Sequence, residues 1–203
     1  IQTQAKEEMS RSERESFLRE QLRAIQNELG EVEGGGNEIE EYRPFVMEEP
    51  VPPQNIDALQ RVAEAVIIPL ATGERLFTKW DYTDLLQRQI VAMIQPDIVQ
   101  AGGILELKKI GAMAEAHYVG IQPHNPYGPI CTAAALQLDA CTPNFMIQEG
   151  GLQPWFQDAT SGMLPIQKDG FFDVPELPGL GVDMNEEWLA ANPWDPNGAA
   201  WRA

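Results

Sequence analysis

The chain has 203 residues, 43% of them hydrophobic, and carries a formal charge of −17 at pH 7. That length suits one good-sized domain or two small ones, and the acidity argues against nucleic acid or an anionic membrane as a partner. Its two cysteines, Cys131 and Cys141, fit neither a disulfide framework nor a paired-cysteine metal motif. No apolar run is long enough to cross a bilayer, and "IQTQAKEEMSRSERES" has no signal-peptide core, so a cytoplasmic, reduced protein is expected.

Residues 1–43 are dense in charge. Within them Leu18, Leu22, Ile25, Leu29 and Val32 recur at steps of 4, 3, 4 and 3. This spacing lays one apolar stripe along a helix and suits a coiled-coil or helical-hairpin seam. Ser10 or Ser12 is the candidate cap, the Gly34-Gly35-Gly36 run is the stop, and "NEIEEYR" opens a second helix. A helix is expected over residues 13–32, its stripe turned toward the rest of the chain or a second copy. The words "SRSERESFLREQLRAIQNELGE" and "NEIEEYR" resemble the long-helix region of Lon-type ATP-dependent proteases. That resemblance carries no chemistry, because the sequence contains no GxxxxGK phosphate loop and offers no assignable serine–lysine pair.

From Pro44 onward one pattern repeats. Short apolar runs each end in an acid or a histidine: "PFVME" at Glu48, "IIPLATGE" at Glu74, "VAMIQPD" at Asp97, "VGIQPH" at His124 and "NFMIQE" at Glu149. The steps between these polar ends are 26, 23, 27 and 25 residues. Between them lie the helical stretches "NIDALQRVAEAV", "DYTDLLQRQ", "ILELKKIGAMAEAH" and "GPICTAAALQLDA". One strand, one helix and two short loops fill each step, which predicts consecutive β/α units and a parallel sheet. In such sheets functional groups gather at the carboxyl ends of the strands. A cluster of acids at one rim is costly without a cation or a proton to balance it, so a metal or acid–base site is expected there. Gly73 and the Gly102-Gly103 pair permit tight turns beside Glu74 and Asp97. Pro123 and Pro126 bracket His124 and Asn125 and stiffen the loop that presents the imidazole. His117, inside the run "AEAHYVG", has no such setting and is read as structural.

The motifs "MEEPVPP", "PLATGERLF", "IQPDIVQAGG", "PHNPYGP" and "IQEGG" resemble the enolase superfamily in its mandelate-racemase-like branch. They look most like sugar-acid dehydratases related to galactonate dehydratase, and the C-terminal "FFDVPELPGLGVDMNEEWL" extends the resemblance over residues 44–203. It implies a fold of the α/β class, a partial (β/α) TIM-like barrel made of strands four to eight and preceded by an α-helical segment at 1–43. It also implies roles. Glu48 and Glu74 match metal ligands for Mg²⁺, His124 and Asp97 match a histidine–aspartate dyad, and Glu149 matches an acid beside the substrate carboxylate. Arg75 and Asn125 match substrate-binding positions.

The residue types suit that chemistry. A proton alpha to a carboxylate is weakly acidic, and its removal creates a dianionic enediolate that a divalent cation on hard oxygen ligands stabilises. A histidine titrates near neutrality and serves as base, and a neighbouring aspartate fixes its tautomer. The substrate is then a small sugar acid, and loss of its beta hydroxyl gives a 2-keto-3-deoxy acid.

The resemblance starts at the fourth barrel strand. The first three β/α units, a third metal-ligating aspartate and most of a capping domain are expected to be missing, which makes Arg43–Pro44 a junction of two unrelated pieces. Open barrel edges predict a homo-oligomer formed through them, partial cover by the N-terminal helices, or aggregation, and an incomplete ligand set predicts impaired dehydration. The alternative reading is a non-catalytic helical interaction segment of a Lon-type protease fused to an inactive barrel fragment.

Overall fold

The computed structural model describes residues 44–150, 155–162 and 167–193. The expected helix over 13–32, its apolar stripe and the Lon-like segment 1–43 lie outside those residues. What is described belongs almost wholly to one compact unit, Val46–Ala203.

Strands and helices alternate: β1 (Met47–Glu48), α1 (Ile56–Ala65), β2 (Leu70–Thr72), α2 (Asp81–Arg88), β3 (Met93–Ile94), α3 (Ile104–Ala116), β4 (Gly120–Ile121) and α4 (Pro129–Asp139). The strands form one sheet in the order β1-β2-β3-β4, every pair parallel. This is an open segment of a (β/α) barrel, not closed on itself. The register places Glu48 beside Ala71, Ala71 beside Met93 and Met93 beside Gly120, and alternation puts these four on one face. Leu70, Ile94 and Ile121 join the helix-side core with Leu59, Leu85, Leu86, Leu107, Ile110 and Leu138.

Local chemistry sets the boundaries. Asn55 caps α1 by accepting the Ala58 amide at 3.0 Å. Pro129 sits in the first turn of α4, where its missing N–H costs nothing. His117 ends α3, its Nδ1 lying 2.8 Å from the Met113 carbonyl, which is the structural role expected of it. Cys131 and Cys141 are both free thiols.

The fifth expected strand is a correction. "NFMIQE" joins the sheet only through an isolated parallel bridge between Ile121 and Phe145. Proline explains why pairing stops. Pro96 and Pro123 follow β3 and β4 closely and have no N–H to donate to a ladder. Beyond them the Gln148 side-chain amide, not a backbone amide, reaches the Pro123 carbonyl at 3.0 Å.

The C-terminal part adds an antiparallel pair that the β/α periodicity does not announce. α5 (Phe156–Ala159) leads into β5 (Thr160–Gly162), which pairs with β6 (Val182–Met184), followed by α6 (Glu186–Ala191). Asn185 caps α6 through the Trp188 amide at 3.1 Å. Trp155 and Trp188 stack with centroids 5.6 Å apart and planes 8° from parallel. Among the described residues no helix is long and apolar enough to cross a membrane.

Candidate active site

The carboxyl ends of β3 and β4 meet at a parallel bridge between Asp97 and His124. His124 Nδ1 lies 2.7 Å from Asp97 Oδ2, and Asp97 is wholly buried. The other carboxylate oxygen accepts the Val99 amide at 2.7 Å and the Gln100 amide at 2.9 Å. Such bonds replace the water that burial removes. An ionised carboxylate accepts only, so Nδ1 carries the hydrogen and the lone pair of a neutral imidazole sits on Nε2. That nitrogen lies 3.3 Å from Glu74 Oε2, a contact that attracts only when Nε2 carries a proton. Three of the expected residues thus form one chain, Asp97–His124–Glu74.

Glu74 owes its place to the turn before it. Gly73 has φ +141, and a Cβ there would lie 2.8 Å from the Gln95 amide nitrogen and 3.1 Å from the Tyr82 ring. Only glycine fits that approach. The buried Tyr82 hydroxyl donates to the Gly73 carbonyl at 2.8 Å and fixes the turn from the core side.

Glu48 stands exposed at the end of β1, with no hydrogen-bond or ion-pair partner among the described residues. Its neighbour Glu49 is engaged instead. At φ +43 it leaves the strand and turns its carboxylate toward the β2 end. There it accepts the Thr72 hydroxyl, the Gly73 amide at 3.0 Å and Arg75 Nε at 3.0 Å, with Arg75 Nη2 also in contact. Burial pushes the Glu49 pKa up, but the bonds from Thr72, Arg75 and Gly73 and the guanidinium charge outweigh it and hold it below the ordinary value. The guanidinium of Arg75 is therefore already paired, and any other anion that approaches it competes with Glu49.

Glu149 and Asn125 are linked to each other: Glu149 Oε2 accepts the Asn125 backbone amide at 3.0 Å. The Asn125 side chain, 2% exposed, donates to Thr132 Oγ1 at 3.0 Å, and its Oδ1 has no partner among the described residues.

Among the described residues no group of three or more His, Cys, Asp or Glu is arranged to hold a metal ion. Glu48 and Glu74 nevertheless follow neighbouring parallel strands and are hard oxygen donors. Carboxylate oxygens are the ligand type that small divalent cations take.

The sequence profile described as "Enolase C-terminal domain-like" matches residues 33–188. The chain belongs to that family. A D-galactonate dehydratase of Xanthomonas euvesicatoria pv. vesicatoria is 38% identical over 175 residues, covering 81% of this chain and 46% of the relative. One from Cronobacter sakazakii is 38% identical over 162 residues, covering 76% and 42%. Among solved structures, a mandelate racemase/muconate lactonizing enzyme from Sulfitobacter sp superposes with TM-score 0.73 at 40% identity, covering 80% of this chain and 41% of that one. A member of the enolase superfamily from Salmonella Typhimurium gives TM-score 0.70 at 41% identity, covering 73% and 39%. This member of the enolase family spans under half the length of the curated relatives it matches. The alternative Lon-type reading gains no support from these relatives.

Sequence reasoning missed Glu49, Gln100 and Tyr127 around this family's strand-end rim. The second carboxylate of the Glu48-Glu49 pair is visible in the sequence, but the turn at φ +43 that carries it off the strand is not.

Proposed function

We propose that the chain acts as a Mg²⁺-dependent sugar-acid dehydratase of the galactonate type, with His124 removing the proton alpha to the carboxylate. The observation that carries this reading is the Asp97–His124 pair, which engages Nδ1 and leaves Nε2, at the acidic rim beside Glu74, as the ring nitrogen available to take a proton. The dehydratase names of the relatives support the substrate class.

In this reading His124 Nε2 takes the alpha proton and the C–H electrons form an enediolate. Asp97, fixed by the Val99 and Gln100 amides, keeps the hydrogen on Nδ1 and stabilises the imidazolium that results. The His124 imidazolium returns its proton to the beta hydroxyl, which departs as water as the enediolate electrons form the C–C double bond of an enol, and tautomerisation gives the 2-keto-3-deoxy acid. Glu149, held by the Asn125 amide, stands near the substrate carboxylate. Glu48 and Glu74 would hold Mg²⁺, which supplies positive charge to the enediolate. Asn125 and Arg75 contribute substrate contacts, the second only by sharing its guanidinium with Glu49. In this reading residues 44–203 carry the chemistry.

The test is proton exchange. The chain, incubated with galactonate-type acids and millimolar Mg²⁺ in D₂O, should exchange the alpha proton, and His124→Asn should abolish it. Exchange is a more forgiving readout than net dehydration, because it needs only the base and some stabilisation of the enediolate. No exchange with any sugar acid, or exchange that survives His124→Asn, overturns the reading.

A further inference from the structure

A single hydrogen bond at Nδ1 fixes one atom of an imidazole but leaves the ring free to swing about that bond. His124 has a second restraint. The Tyr127 ring meets it edge-to-face, with centroids 6.4 Å apart and planes at 84°, the arrangement that aromatic quadrupoles favour. Tyr127 packs partly buried against the main core, so its ring is anchored. Its hydroxyl accepts a hydrogen bond from the side-chain amide of Gln100. The backbone amide of the same Gln100 donates to Asp97 Oδ1 at 2.9 Å.

The contacts close a circuit from Asp97 to His124, to Tyr127, to Gln100 and back to Asp97. It ties the loop after β3 to the loop after β4. Water would satisfy the Tyr127 hydroxyl and the exposed Gln100 side chain equally well for solubility, so their pairing needs another reason.

We propose that Tyr127, braced by Gln100, is a positioning residue that fixes the plane of the His124 imidazole. Nδ1 then stays on Asp97 and Nε2 stays turned toward Glu74. The proposal rests on the reading of His124 as the base, and its test is separable from that reading.

The experiment measures solvent exchange of the His124 Nδ1 proton by NMR, at fixed pH, on the ¹⁵N-labelled full chain. Tyr127→Phe and Gln100→Ala remove the brace and should each speed exchange about threefold, while Tyr127→Leu removes the ring contact and should speed it about tenfold. Circular dichroism checks that each variant is folded. If Tyr127→Leu fails to fold, the two milder variants decide, because they change one hydroxyl and one exposed amide. Wild-type exchange in Tyr127→Phe and Gln100→Ala overturns the proposal. Alpha-proton exchange, run in parallel, reports on the base separately: its absence would overturn the dehydratase reading and leave the positioning result standing.

Discussion

Glu49 takes both Nε and Nη2 of Arg75 on one carboxylate oxygen, Oε2, while its other oxygen receives Thr72 and Gly73. One side chain thereby fastens the end of β1 to the turn that carries Glu74. Glu49→Ala leaves the Gly73 amide and the Thr72 hydroxyl without their partner and should cost about 1–3 kcal/mol in denaturant unfolding at neutral pH. The sign with pH follows from the lowered carboxyl. Its contribution is complete above the unfolded value of about 4.5 and is lost as pH falls through the folded value below it. Wild-type and Glu49→Ala stabilities should therefore converge in acid, and a constant gap across that range would contradict the assignment.

Gly73→Ala puts a Cβ 2.8 Å from a backbone nitrogen, in a conformation L-residues avoid. The turn must shift, and Glu74 shifts with it. A loss of about 1–3 kcal/mol is expected from the strain alone. On the proposed Mg²⁺ site the displaced carboxylate should also weaken Mg²⁺ binding, which titration calorimetry on the folded variant would read.

Asp97→Asn tests the tautomer. The variant keeps the shape and retains an oxygen for the Val99 and Gln100 amides. Its amide then donates to Nδ1 and moves the hydrogen to Nε2, which ceases to be a base. Alpha-proton exchange should fall by about two to four orders of magnitude, with little change in the circular dichroism spectrum. Retained exchange would show that Asp97 has no part in preparing the base.

Asp139 predicts the opposite pH trend from Glu49. It closes α4 with both carboxylate oxygens buried and without a hydrogen-bond partner among the described residues, and burial pushes its pKa up to about 8. A group raised in the folded state favours folding fully below its unfolded value of 3.8, and that advantage is lost as pH rises to about 8. Asp139→Asn should stabilise the chain by a few kcal/mol at pH near 8, an order-of-magnitude figure from that shift, and by little near pH 4. Equal effects at both ends of this range would mean that the carboxylate finds a partner in solution.

The β/α alternation was legible because each unit is a contiguous apolar run followed by a helical period, as in "VAMIQPD" and "ILELKKIGAMAEAH". The pairing of Asp97 with His124 was legible too, since both end a run at the same rim. Other features depend on contacts between distant segments. Nothing local to "MEEP" says that Glu49 adopts φ +43 and reaches Arg75. "NFMIQE" has the pattern of a strand, yet Pro123 withholds the donor that its ladder needs. The β5–β6 pair brings together Thr160–Gly162 and Val182–Met184, segments too short and too far apart for periodicity to join.

The stacked indoles of Trp155 and Trp188 carry a practical consequence. Two transition dipoles held face to face at 5.6 Å couple strongly, so the pair should leave an exciton signature in the ultraviolet dichroism. In the sequence they flank the β5–β6 pair, Trp155 before β5 and Trp188 after β6. The C-terminal part of the chain thus has its own optical reporter. Its melting curve is readable apart from the helical signal that tracks the parallel sheet, and with it the order in which the two parts come undone.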